Sequence, residues 1–245
     1  MKHIKWYVLV ALMLIFLSAV LYTIQIVIFQ TPGETFFLLL QDLAFIPIEV
    51  FLVSLVISEL LSMKAKRDLL KKLNMVIGVF FSEVGISLLD IISKFGNLDG
   101  IKKELIIGME WTERNFQAAG KLVKRFSYKI NCKDKDLQSL QDFLLEKREF
   151  MLSLLENPNL LEHDSFTDLL WSIFHLMEEF QQREDIDQLP DNDYIHLNGD
   201  IERALILLIN EWIYYMKHLK AHYPYLFSFA VRKNPFDPNA TVIFH

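Results

Sequence analysis

The chain holds a single cysteine, Cys132, only eight glycines and seven prolines, and no excess of positive charge. Each shortage removes a class of function. One cysteine excludes an intramolecular disulfide and any cysteine-cluster zinc site, fits a reducing compartment, and reads as an ordinary core or surface thiol. A net charge of −6 argues against nucleic-acid binding, which needs a face of clustered lysine and arginine. The scarce glycines and prolines fall mostly between periodic apolar stretches, where they punctuate helices. The chain has no glycine fingerprint after a strand, Walker-type loop, paired-cysteine motif, His-Glu-x-x-His or nucleophile elbow. Internal repeats and low-complexity tracts are also missing.

What is abundant is apolar sequence. Residues 6–29 carry no charged side chain, and about 20 apolar residues suffice to cross a hydrocarbon core of ~30 Å at ~1.5 Å per helical residue. A polar turn at 30–35 follows, and then a second apolar run at 36–61 that can cross back. Lys2 and Lys5 precede the first run; Lys64, Lys66, Arg67, Lys71 and Lys72 follow the second, and the turn has only Glu34. Basic residues near membrane ends stay cytoplasmic, so the expectation is a two-helix transmembrane hairpin in the cytoplasmic membrane with both termini inside. A cleaved signal peptide is disfavoured, because the first run exceeds a typical h-region and a second run follows at once.

The remainder has the size of one domain, giving a division into hairpin (1–63), helical domain (64–234) and C-terminal tail (235–245). Charge is divided too: 64–72 hold five basic and one acidic residue, whereas 73–245 hold 18 basic and 26 acidic. That suits a basic collar on anionic lipid headgroups with an acidic body held away from them. The fold class expected is all-α, a cytoplasmic helical bundle behind the hairpin. Residues 76–89 are nearly as apolar as the spans, so a third crossing is the alternative there. Glu83, Ser87, Asp90 and Lys94, however, recur at spacings of 4, 3 and 4 and make one polar stripe on an otherwise buried helix. Further helices are expected at 101–107, 112–126 and 136–155, the last ended by Asn157-Pro158. Ser165-Phe166-Thr167-Asp168 reads as a capping box opening a helix to about 183. After Leu189-Pro190-Asp191 the longest helix of the domain carries Tyr194, Leu197, Ile201, Leu205, Leu208, Trp212, Tyr215 and Leu219 in a heptad-like seam. Tyr223-Pro224 should stop it, leaving a short helix and a turn-rich tail.

The stretches IPIEV, KLNMVIGVFFSEVG, ENPNLLEH, LLWSIFHLMEE and YPYLFSFAVRKNPFDPNA resemble a family of uncharacterised two-span membrane proteins of bacteria and archaea. The NPFDPNA-type phrase near the C-terminus is the most specific part. The resemblance covers nearly the whole chain and implies its architecture; it brings no activity, ligand or functional residue.

Two constellations could carry chemistry. Asp42 and Glu49, seven residues apart, share one face of the second apolar helix, and Glu49 would lie ~20 Å into the span. Ionisable groups at such depth face another helix or a wet cavity. They are either protonated interhelical hydrogen-bonding groups or carriers of an ion or proton. In an antiparallel hairpin Asp42 lies level with Tyr22, Thr23 or Gln25, and Glu49 near Ser18. Pro47, between them, removes a backbone donor and is expected to kink the helix. In the domain, His175-xxx-Glu179 and His218-xxx-His222 have one-face spacing, like that of hemerythrin-like di-iron bundles. Folding the two helices antiparallel about a midpoint between residues 188 and 189 sets His175 level with residue 202, which leaves it ~24 Å from His218. The better convergence expected is His163 with Glu211, Tyr215 and His218, a candidate metal or acid–base site.

With no catalytic set legible, the first functional reading is a membrane-anchored protein-interaction module, regulatory or scaffolding, that binds a protein partner or itself as a homo-oligomer. Its setting is the lipid bilayer, with no nucleic acid and no cofactor. An ion-conducting or ion-sensing oligomer using Asp42 and Glu49, and a metal-dependent helical-bundle enzyme centred on His163, Glu211 and His218, are the alternatives.

Overall fold

The computed structural model describes residues 2–30, 32–133, 135–183, 186 and 188–243, with side chains of 2–11 and 161 left aside. Among these described residues ten α-helices follow one another: α1 Lys2–Phe29, α2 Pro32–Phe80, α3 Ile86–Ser93, α4 Asp99–Lys102, α5 Glu113–Arg125, α6 Leu137–Glu146, α7 Arg148–Leu155, α8 Asp164–Gln181, α9 Asp191–His222 and α10 Pro224–Val231. Among the described residues there is no strand, only an isolated bridge between Gly96 and Ile130. The fold is all-α. The chain divides into two compact units, Met1–Lys66 and Arg67–His245.

In the first unit, α1 and the start of α2 are long and apolar enough to cross a membrane. Two expectations change here. Pro32, Gly33, Glu34 and Thr35 are already helical, because proline's fixed φ suits a first helical position and Glu34 complements the helix N-terminus. Gln30 turns the chain with φ 54°, its N–H held by the Ile26 carbonyl at 2.9 Å. The second helix, moreover, does not end at 61. It runs on through the basic residues to Phe80, since 62–77 contain no glycine or proline and are rich in helix formers.

The second unit is built round α9, whose seam residues Leu197, Ile201, Leu205, Leu208 and Trp212 are at most 1% exposed. α9 packs on α8, α5, α10 and α3. Between α2 and α3 one π-helical turn, Phe81–Gly85, interrupts the ladder, a device often found beside functional sites. Phe80 and Phe81 are fully buried there, and Phe81 stacks on Tyr215 with centroids 5.0 Å apart. Glu83, Ser87, Asp90 and Lys94 are all exposed while Val84, Leu88, Leu89 and Ile92 are buried. Residues 76–89 therefore form a core helix of the domain.

Some boundaries move. The helix expected at 136–155 is two, α6 and α7, divided at Lys147; no glycine or proline marks the break, and the apolar spacing runs through it. The helix at 101–107 shrinks to α4 and a 3₁₀ turn, Lys103–Leu105. α8 starts before the Ser165 pattern, because His163 is the cap: its Nδ1 accepts from the Phe166 N–H at 3.3 Å. The stretch assigned to a tail begins inside the core. Asn234 is buried and donates to the Leu105 carbonyl at 3.0 Å, and Phe236 sets its ring on Trp212 at 5.2 Å. Tail residues further on stay turn-like.

Candidate functional site

In the apolar hairpin the Tyr22 hydroxyl donates to Asp42 Oδ2 at 3.2 Å, at the level an antiparallel pairing of α1 and α2 requires. Glu49 is exposed on α2 and makes no hydrogen bond among the described residues, to Ser18 or to any other group. Lys64, Lys66, Arg67, Lys71 and Lys72 are all exposed along the same helix.

The domain distributes its histidines in three places. His163 caps α8, Ser165 Oγ lies 3.4 Å from its Nδ1, and Glu211 on α9, only 3% exposed, hydrogen-bonds with Ser165 and feels the His163 charge. Burial raises the Glu211 carboxyl above its ordinary value; the Ser165 bond and His163 pull it back down. His163 and Glu211 are thus brought together. His218 instead stacks on His222, with centroids 4.5 Å apart, and its pKa is lowered by burial and by the His222 charge. Tyr215 belongs with Phe81 rather than with His163. His175 and His196 meet on a third site, beside Asp200. Cys132 is a core thiol: fully buried, pushed up to about 11 by desolvation, and facing the Tyr194 carbonyl at 3.7 Å. A nucleophilic role needs the opposite environment.

The domain carries an apolar groove of about 710 Å³. Three helical faces make it. Trp212, Met216 and Leu219 of α9, each at most 3% exposed, form the floor; Met75 and Val79 of α2 stand along one rim, and Leu226 and Phe229 of α10 along the other. These four rim residues are 41–68% exposed. The α9 residues Trp212, Tyr215, Met216 and Leu219 follow an i, i+3, i+4, i+7 pattern, and Leu226, Phe229 and Ala230 of α10 an i, i+3, i+4 pattern that Lys233, in the turn after α10, continues, so both helices turn a stripe to the groove. The polar lining is sparse and carries no carboxylate; its charge is Lys233, whose Nζ sits 4.7 Å over the Phe229 ring, with His218 nearby. Surface apolar patches of this kind mark binding sites. From sequence the α9 seam was visible, but the gap over it depends on how α2 and α10 flank it.

Residues 69–232 match the family described as "Uncharacterized protein MJ1433, C-terminal helical domain", and residues 1–61 match "MJ1433, N-terminal helical domain". A similar protein is the uncharacterized protein MJ1433 of Methanocaldococcus jannaschii, 43% identical over 243 residues, which cover 99% of this chain and 98% of the relative. No solved structure matches the chain. The chain belongs to this MJ1433 family of helical proteins of unknown function.

Proposed function

We propose that this protein is a two-span membrane anchor whose cytoplasmic helical domain docks an acidic amphipathic helix of a partner protein. The observation that carries the reading is the open groove between α2, α9 and α10, walled by helical stripes on an otherwise closed core. A fourth helix laid into it would complete a bundle, the mode by which amphipathic helices enter apolar grooves. Its two methionines, Met75 and Met216, give it an adaptable lining. Lys233, unopposed by any lining carboxylate, favours an occupant with an acidic residue on its polar edge. Fully burying a Met, Leu, Phe or Val is worth roughly 1.5–3 kcal/mol. The four half-exposed rim residues therefore supply several kcal/mol toward the cost of association, the rest coming from the apolar face of the partner helix.

The anchor rests on two apolar helices and on the basic residues Lys64, Lys66, Arg67, Lys71 and Lys72 after the second, which keep that end cytoplasmic. Reporter fusions after Lys72 and at the C-terminus should both read cytoplasmic; an external reading at either defeats this orientation. Docking is tested with the full chain in nanodiscs, its methionine methyls labelled. An acidic amphipathic model helix should shift the Met75 and Met216 signals, its basic twin should bind at least about tenfold more weakly, and Phe229→Asp should abolish the response. Equal response to both helices, or to neither, refutes the reading.

One observation favours a second reading. Glu49 sits within the apolar stretch of α2 with no hydrogen-bond partner among the described residues, which is costly in lipid unless another copy or an ion meets it. In that case the second spans assemble round Asp42 and Glu49, and ion flux in reconstituted vesicles would report it.

A further inference from the structure

Asp200 lies on α9 with its side chain only 3% exposed. One oxygen, Oδ1, accepts from Arg203 at 3.0 Å. The other, Oδ2, is buried and receives no hydrogen bond among the described residues. A carboxylate oxygen desolvated without a donor is costly. Yet two ring nitrogens approach it, His175 Nε2 from α8 at 3.5 Å and His196 Nε2 at 3.3 Å. These are not hydrogen bonds. They match the separations expected of atoms that share a centre: ligand bonds of ~2.0–2.1 Å at the tetrahedral angle place neighbouring donor atoms ~3.3 Å apart, and the three donor atoms all lie within 4.8 Å of one another. Neighbouring oxygens round an octahedral ion with bonds of ~2.0–2.1 Å would stand only ~2.9 Å apart.

A fourth group is in reach. Glu179, one turn after His175, has Oε1 3.9 Å from His175 Nε2 and Oε2 3.7 Å from His196 Nε2, and Arg183 holds its Oε2 at 2.5 Å. Each carboxylate is thus steadied by an arginine through one oxygen, as outer-shell partners steady metal ligands. The geometry points to a zinc site in which His175, His196 and Asp200 are ligands and Glu179 or water takes the fourth position. Two imidazoles and a carboxylate are donors suited to Zn²⁺ rather than to Ca²⁺, which takes oxygen ligands, and the spacing is too wide for octahedral Mg²⁺. Bound there, the ion would tie α8 to α9. The site shares no residue with the apolar groove, so it goes beyond the docking reading and stands or falls separately.

The alternative is that protonated histidines simply pair with Asp200. The full chain in detergent, stripped with EDTA, distinguishes the two by titration with Co²⁺, whose tetrahedral complexes absorb strongly in the visible, and by displacement with Zn²⁺. The expected result is one Co²⁺ per chain with an intense tetrahedral spectrum, bleached by one equivalent of Zn²⁺. His175→Ala and His196→Ala, at half-exposed positions, should keep the fold and weaken binding at least about a hundredfold. Asp200→Asn should do the same, whereas His163→Ala should bind as wild type. Absence of stoichiometric binding, a weak octahedral spectrum, or undiminished binding by the folded His175→Ala, His196→Ala double variant overturns the site.

Discussion

Phe236→Ala tests whether the chain after α10 belongs to the core. Phe236 is 3% exposed, meets Trp212 edge-on at 5.2 Å, and its N–H is held by the Asn234 side chain at 2.9 Å, itself bonded to the Leu105 carbonyl. Truncating a buried phenylalanine costs ~3–5 kcal/mol, of which the edge-to-face pair with Trp212 accounts for roughly 0.5–1.5. Phe236 stands near the chain's end, where neighbours can close into the space, so the lower figure, about 3 kcal/mol, applies. For a unit of this size 1 kcal/mol moves the midpoint by ~2–4 °C, which sets the expected loss at about 6–12 °C. The assay is thermal unfolding of the full chain in detergent, followed by near-ultraviolet circular dichroism. Two controls frame it: a chain cut after Asp237 and Phe229→Ala, a rim position 43% exposed, should each shift the midpoint by less than about 4 °C. A Phe236→Ala midpoint equal to wild type would return residues 235–243 to a mere tail.

Trp212→Ala, which removes the floor of the groove and the largest ring of the α9 seam, should cost ~3–5 kcal/mol and abolish peptide docking; a variant of unchanged melting midpoint would contradict the seam. Burial raises the Glu211 carboxyl, so the folded state binds its proton more tightly. That stability is fully present below the unfolded value near 4.5 and is lost as pH rises through the folded one. Glu211→Gln should therefore gain on wild type in melting midpoint between about pH 4 and about pH 8, and an unchanged difference would refute the shift. Asp42→Asn, which can still accept from Tyr22, should leave assembly intact, while Glu49→Leu should change the oligomeric mass in detergent if Glu49 is met by a second copy. Flux abolished by Glu49→Gln in folded protein would favour the ion reading instead.

Periodicity carried most of the architecture. The spacing of Glu83, Ser87, Asp90 and Lys94 distinguished a core helix from a span although hydropathy alone did not, because a helix buried over three faces and one crossing a membrane differ only in that stripe. The seam from Tyr194 to Leu219 likewise located α9. Local signals failed where two devices compete for one role. Ser165 has the side chain of a cap, but the histidine two residues earlier took the role, since His163 Nδ1 accepts from the free N–H of Phe166. Nothing in the spacing around Lys147 announces the α6–α7 break, and the burial of Asn234 and Phe236 depends on Leu105 and Trp212, distant in sequence.

The histidine–aspartate cluster was within reach of the same helical arithmetic. Reflecting α8 onto α9 about the midpoint of their connection sets His175 level with Glu202 and Glu179 level with Asn198, which brings His196 and Asp200, one turn apart, alongside both. The reflection tells which residues are level but not which way they face, and only facing decides whether Asp200 is a solvated surface acid or a buried one. Burial is what converts it from one charge among many into an oxygen that needs a cation. The groove poses the complementary case. The α9 seam states that apolar surface must be covered, while the number of helices available to cover it is fixed by the packing of α2 and α10, and they leave Met75, Val79, Leu226 and Phe229 half in water. In both places the informative quantity is a mismatch between what a side chain requires and what the chain itself supplies, and the missing part defines the ligand: a cation for Asp200, an apolar helical face for the groove.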